Sequence, residues 1–588
     1  MMLQALIAYA ERNQLGDADF ETVGVRWLIS LDQHGKLAGG PIALAENPDD
    51  KKPRPKIFAR PFTSPNELNQ GTKSHFLCDT LERAVLFLDP KTSEKAEARR
   101  VQHAYFQKLL EEAAAACPDV SSQLQLVLSF LRNEESMGEL HRRLVSAKAK
   151  PSDNATFSVD GANLLDANDL KNFWRNRRQC LAAGAKARPR RICVATGDLA
   201  ETLDTTEKIK GVPGGLATGT NLISFDKDSF CSFGLDQAQN AALSAPAELK
   251  IRSALNKLIE ISRGQGLVFN TTIHLHWTRK PVAFDPMDIL AAPDENGVQA
   301  LIESVRQGRQ ILGLDANAYY AMSLSGNGAR IIVRDWLEST VPEVQRNIAD
   351  WFCDLTIAHP DGVGLKRDFK LFALLYGMVR ADLEEISPQI PTQLLHCALR
   401  GRSVPLPQAA LSAAIRRQHL EENKLNPARI ALIRACLIRS PNRKETDSMT
   451  EKLDLESKDP AYLCGQLFAV IGRLQLLALG KVGASLADRT YGGVATRPAT
   501  TFGPVFTKLP AYLKKANSRF PGSGTNKQKE LEILCHKIEV LGGIPQILGL
   551  EDQGRFALGF YCQLAQYRTD RAEAEAAKKA EELADESN

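Results

Sequence analysis

The sequence predicts an α+β protein: a mixed N-terminal α/β domain with antiparallel strands, then a largely helical region, then a C-terminal helical bundle. Three observations carry this. Apolar residues near the N-terminus pass from a helical to an alternating spacing, from Leu3, Leu6, Ile7 and Tyr9 to Val25, Trp27, Ile29 and Leu31. Helical patterning dominates from about residue 245, and residues 461–568 keep an apolar periodicity of their own.

The elements follow in order. Residues 3–13 read as a helix, and GVRWLISLDQHGKLAGGPIAL reads as a β-hairpin turning at Gln33-His34-Gly35. A polar, proline-rich loop follows, with Lys51, Lys52 and Arg54 in it, and residues 77–145 read as helical. Residues 192–233 return to strand and turn character. Within the helical region after 245, LVFNTTIHLHW and ARIIVRDW read as strands. The segment SPNRKETDSMTEKLDLESKD reads as a linker, and residues 461–568 as a bundle broken by a basic loop. Domains are expected at 1–150, 151–445 and 446–588, matching a length prior of roughly 150 residues per domain.

The 588 residues are 44% hydrophobic and 24% charged, an ordinary globular composition. The formal net charge of +4 is small for this length, so only charge distribution can argue for a nucleic-acid partner. The 11 cysteines show no CxxC spacing and no zinc-ligand histidine, which reads as reduced thiols in a cytoplasmic protein. The N-terminus lacks the basic start and continuous apolar run of a signal peptide, and no uninterrupted apolar stretch approaches bilayer length. No membrane partner is expected.

Catalytic patterns are missing. His274 and His276 flank Leu275 and would share one face of a strand, but no carboxylate or cysteine stands nearby in sequence to complete a metal site. GVPGGLATGTN and FPGSGTNK are glycine-rich yet lack GK[ST], and no GxSxG elbow appears; both glycine runs read as turns. No enzyme activity, metal or cofactor is expected.

Charge distribution is the informative feature. Between Asp488 and Glu530 there is no acidic residue, while Arg489, Arg497, Lys508, Lys514, Lys515, Arg519, Lys527 and Lys529 alternate with Tyr491, Phe502, Phe506, Tyr512 and Phe520. Cations displace counterions from phosphate, and flat rings stack on bases. A second acid-free stretch, KNFWRNRRQCLAAGAKARPRR, carries Arg177, Arg178, Arg190 and Arg191. Neutral hydrogen-bonding groups cluster twice. NELNQGTKSHF offers Asn66, Asn69, Gln70, Gly71, Thr72, Lys73 and Ser74, a glycine-centred loop suited to close approach to base edges. GTNLISFDKDSFCSFGLDQAQNAALS offers Asn221, Ser224, Gln237 and Asn240 among Phe225, Phe230 and Phe233. Each also fits a bland role: a solvated basic face, or turn and helix caps.

Taken together, these segments resemble the large subunit of the type I-C CRISPR surveillance complex, Cascade. The pieces that carry the resemblance are LQALIAYAER, GTNLISFDKDSFCSFGLDQAQNAALS with ALNKLI, LSGNGARIIVRDW, YLCGQLFAVIGRLQLLALG, DRTYGGVATRPATTFGPVF and LEDQGRFALGFYCQLAQYRTD. They run end to end in the family's order. Gly472 stands where an acidic residue is more usual, and GFYCQ replaces a YYHQ-like ending. The resemblance implies a protein without enzymatic activity. It would sit with a guide RNA (crRNA), backbone subunits and the subunit that binds the crRNA handle. It would read a protospacer-adjacent motif (PAM) on duplex DNA, help open it, stabilise the R-loop with its displaced single strand, and present it to a helicase–nuclease.

On this reading Asn69, Gln70 and Lys73 are the expected main contacts to the motif, with Asn221, Ser224, Gln237 and Asn240 near the same surface. The basic residues of 489–529 would grip the backbone of the displaced strand, and Lys51, Lys52, Arg54, Arg177, Arg178, Arg190 and Arg191 would add further nucleic-acid backbone contacts. Small helical subunits, as the resemblance implies, would arise from an internal start at or near Met449. The competing classes are a nuclease whose metal ligands converge from distant segments, and a scaffold that touches no DNA.

Overall fold

A computed structural model describes the chain except for residues 1, 18, 47–54, 64–66, 69–70, 89–95, 184–189, 226, 283–285, 308–316, 421–424, 444–448, 481 and 586–588. The fold is mixed α+β, and it divides into two compact units. Unit 1 comprises Met1–Lys208 and Ile223–Asn256; unit 2 comprises Ile209–Leu222 and Lys257–Asn588.

Unit 1 opens with the helix Met2–Arg12, which buries Ala5, Leu6, Tyr9 and Ala10. The strand Phe20–Val25 pairs antiparallel with Lys56–Pro61. Trp27–Leu31 pairs antiparallel with Ile42–Ala43 across the expected turn, and it buries Trp27, Ile29 and Leu31 while Leu28 and Ser30 are only partly covered. Its other neighbour, Asn154–Val159, runs parallel to it. The intervening chain includes the helices Ala96–Ala116, Pro118–Arg132 and Glu134–Ser146, the long crossover that a parallel pair requires. Cys78–Thr80 closes the far side of Asn154–Val159. The expectation of unbroken helix over 77–145 is therefore corrected at its start, where a strand of three residues is too short to show a period. The core joins Trp27, Ile29, Phe76, Phe106, Leu124, Phe130, Phe157 and Trp174.

Unit 2 begins with an antiparallel sheet ordered Val268–Phe269, Thr272–Thr278, Ala318–Asn327, Arg330–Thr340. The strand Ala318–Asn327 falls in a stretch expected to be helical. It is buried on both faces from Tyr319 to Ser325, so its sequence lacks the alternation that marks a half-exposed strand. Helices Val341–Leu355, Gln389–Arg400, Gln408–Leu420 and Pro427–Ile438 share one core with this sheet. Pro460–Leu479 then runs through the last bundle. It is long and apolar enough to cross a membrane by composition, yet 72% of its most apolar window is buried within the protein.

Pro460–Leu479 packs against Leu550–Asp585 at backbone distance. A Cβ on Gly465 would stand 2.1 Å from the Phe556 carbonyl oxygen, and one on Gly559 would stand 2.0 Å from that of Tyr462. Leu550–Asp585 serves two cores at once: Ala557, Leu558, Tyr561 and Cys562 join the sheet-side cluster, while Phe556 and Phe560 join the bundle cluster. Tyr561 also donates its hydroxyl to the Ala358 carbonyl at 2.8 Å. A product beginning at Met449 would thus expose a row of apolar side chains that the full chain covers.

Candidate nucleic-acid interface

The basic segment 489–529 is not a loop. It lies on Leu486–Thr496, Pro498–Phe506, Leu509–Arg519 and the start of Ser523–Val540. Ser485 caps the first helix in a reciprocal box with Asp488. Pro498 and Pro510 stand in first turns, where a missing N–H costs nothing. Reading proline, glycine and threonine as loop formers overlooked that placement.

Arg489, Arg497, Lys508, Lys514, Lys515 and Lys529 are exposed. Among the described residues no carboxylate pairs with any of them, and Arg489 reaches only the Ser485 carbonyl, at 3.5 Å. Lys527 differs. It pairs with Glu530 and sits 3.9 Å from the ring centroid of Tyr567, so it is held by the bundle. The stacking half of the expectation is also corrected. Tyr491 and Phe502 lie in the core against Phe468, and Phe506 stacks on Phe502. Of the interleaved rings only Phe520 is exposed. The segment offers exposed cations with little aromatic surface.

The upstream cations have other fates. Arg177 pairs with Glu112. Arg178 contacts Asp19 at 3.0 Å, donates to the Phe62 carbonyl at 3.0 Å and lies over the Phe62 ring. Burial raises the Asp19 carboxyl pKa, and the Arg178 charge acts against that rise. Arg191 donates to Gln239 at 3.2 Å, and exposed Arg190 donates to the Leu199 carbonyl at 3.1 Å. Expected phosphate contacts at Arg177 and Arg178 are therefore ones their existing partners would have to release.

In the loop 66–76, Asn66, Asn69 and Gln70 lie outside the described residues, as do Lys51, Lys52 and Arg54. Gly71 has φ +74° with nothing within 4 Å of where a Cβ would stand, an open, left-handed turn. Thr72 is exposed, and Lys73 pairs with Glu67 at 3.0 Å. Ser74 is fully buried, so it is not positioned to touch a partner. Behind it His75 is buried beside Arg60 and Arg83. Burial, then those two charges, pushes its pKa down to about 2, keeping the ring neutral.

The second polar cluster separates by role. In unit 2, Asn221 extends the sheet: its N–H donates to Ala329 at 2.8 Å and its carbonyl accepts from Ile331 at 3.0 Å. Its buried side-chain oxygen has no partner among the described residues. In unit 1, Ser224 is half-buried and Gln237 exposed. Asn240 uses its amide on the loop itself, accepting from the Ser232 N–H at 2.9 Å and donating to the carbonyls of Leu235 and Gln237 at 2.8 and 3.1 Å. It is a brace, and a base contact would cost that bracing.

His274 and His276 do line one small enclosed space with Ser323, Asp335 and His396. His274 Nδ1 is 2.8 Å from Ser323 Oγ, and His276 Nε2 is 3.2 Å from Gln265 Oε1. Among the described residues no group of three or more histidine, cysteine or acidic side chains is arranged to hold a metal ion.

The profile of one family, described as CRISPR-associated protein (Cas_Csd1), matches residues 6–568. No curated protein matches the sequence.

Proposed function

The chain belongs to the Cas_Csd1 family of CRISPR-associated proteins, and on that premise we propose that it is the non-catalytic large subunit of a type I-C, RNA-guided DNA-surveillance complex. In this role it sits in the cytoplasm with crRNA, backbone and handle-binding subunits and small helical subunits. It recognises the adjacent motif on duplex DNA, helps unwind it, stabilises the R-loop and presents it to a helicase–nuclease. RNA-guided systems delegate sequence reading to base pairing, so the protein needs only backbone grip and a short reader.

One observation beyond the family supports this best: Arg489, Arg497, Lys508, Lys514, Lys515 and Lys529 are exposed and paired with no carboxylate among the described residues, on a protein of near-neutral net charge. Cations without acidic partners are available to phosphate, and their helices fix their spacing. The open turn at Gly71, flanked by Asn69, Gln70 and Lys73, supports motif reading in the first unit.

The test uses the full-length chain with labelled duplex and forked DNA across a salt series, with and without magnesium or manganese. Steep salt dependence without cleavage is the expected outcome. Cleavage by the chain alone would establish a nuclease, and salt-independent or absent binding would leave a scaffold. Replacing Asn69, Gln70 and Lys73 by alanine should weaken binding of motif-bearing duplex in the assembled complex while leaving crRNA assembly intact.

A further inference from the structure

The loop Lys227–Gln237 in unit 1 presents an aromatic ring to solvent in a way that packing does not explain. Phe233 is 100% exposed, and Phe230 beside it is 40% exposed. Phe233 has φ +55°, Gly234 +69° and Gln237 +45°. A left-handed backbone is costly for a bulky side chain, on the order of 1 kcal/mol or more, and persists only where the surroundings impose it. Here they do. Asn240 ties Ser232, Leu235 and Gln237 together through its amide. The Leu235 N–H donates to Ser232, and the Ala238 N–H donates to Asp204, each at 3.0 Å. The tip is held, and the ring it carries touches nothing that repays the strain.

The surroundings of that ring select its partner. Apart from Phe230, the exposed side chains around it are Lys227, Asp228, Ser229, Ser232, Asp236 and Gln237, so the tip offers one or two rings and not the broad apolar core of a protein interface. Lys227 is outweighed by Asp228 and Asp236, a net charge of −1 on these three residues, so the loop does not grip phosphate and any contact it makes is to a base. A flat ring open on its faces, in a polar rim with the exposed Gln237 side chain, matches the face of one nucleobase. We propose that Phe233 is a stacking platform for a single unpaired nucleobase, with Asn240 as its positioning residue. The proposal rests on the nucleic-acid role above and adds a contact made to a base, independent of the backbone grip.

The experiment uses the full-length chain and a forked duplex carrying 2-aminopurine at the first unpaired position. Wild type should quench the probe. F233W and F233Y should retain quenching, while F233A and F233L should lose it and bind the fork roughly ten- to a hundredfold more weakly. Salt slope and melting temperature should stay at wild-type values, because the ring contacts neither phosphate nor core. N240A should lower quenching in part while keeping the salt slope. Equal quenching and affinity in wild type and F233A would overturn the proposal, and F233L matching wild type would replace stacking by an aliphatic contact, also overturning it. If wild type itself shows no salt-dependent binding, the broader functional reading fails first; salt-dependent binding with an unaffected F233A fails this inference alone.

Discussion

The helix Asn168–Ala183 and the helices of 486–540 begin from the same sequence signature, an acid-free basic run, and end in opposite environments. In the first, Arg175, Arg177 and Arg178 meet Asp17, Glu112 and Asp19. In the second, Lys508, Lys514, Lys515 and Lys529 meet no carboxylate among the described residues. Acid-free sequence is a local property, and neutralisation is a tertiary one. Acidic partners for the first run come from Asp17, Asp19 and Glu112, far upstream in the chain. Among the described residues, nothing comparable reaches the second run except Glu530, which takes Lys527. Arginine suits the paired setting, since its fork satisfies a carboxylate and a carbonyl together, as Arg178 does. Lysine suits the solvent-facing one.

Four perturbations break or sharpen this contrast. If the proposed backbone role holds, reversing Lys514 and Lys515 to glutamate should weaken DNA binding on the order of 50-fold at 0.1 M salt, equally for all sequences, with melting unchanged. A preference among sequences would contradict a backbone role.

Acid comes next. His75 has its pKa depressed from 6.5 to about 2, so the unfolded chain takes up the proton first as pH falls. Stability from the neutral ring is complete above pH 6.5 and is lost below it. Between pH 7 and 5, unit 1 should lose about 2 kcal/mol, while lysine charges do not change. H75N should flatten that dependence in chemical denaturation; a slope equal to wild type would remove His75 as the cause.

Reversing Arg177 and Arg178 to glutamate should cost roughly 1 kcal/mol of stability, since the pairs are partly exposed, and change DNA affinity less than about twofold. A large affinity loss at unchanged stability would move these arginines into the interface. The smallest effect belongs to K527A. It removes the contact with Tyr567 and Glu530, for about 0.5 kcal/mol by thermal unfolding, and should leave the salt slope intact.

The α+β class, the N-terminal helix and the hairpin at Trp27–Leu31 were legible because their periods are long enough to register. Ala318–Asn327 was not, because burial on both faces erases alternation. In the basic segment, charge was legible and its support was not. Tyr491 and Phe502 look the same in sequence whether they face a base or Phe468, and only the helical register decides it. Leu486, Val494 and Ala495, buried with Tyr491, hold that register and would have disclosed it. Asn240 and Ser74 show the converse limit. Neutral polar residues mark readers, braces and buried positions alike: the Asn240 amide is already committed to its own loop, and the Ser74 hydroxyl is buried out of a partner's reach. At Phe233 the signal in the sequence is an aromatic residue before glycine in a run of turn formers, and its exposure is a property of the folded loop.

The most direct test of the central claim is the slope of log affinity against log salt for the full-length chain and its K514E/K515E variant, on two duplexes of unrelated sequence. The slope should be shallower by about two units in the variant, the same on both duplexes, at unchanged melting temperature. An unchanged slope would mean that these exposed lysines do not touch phosphate, and the contrast between the two basic runs would carry no functional meaning.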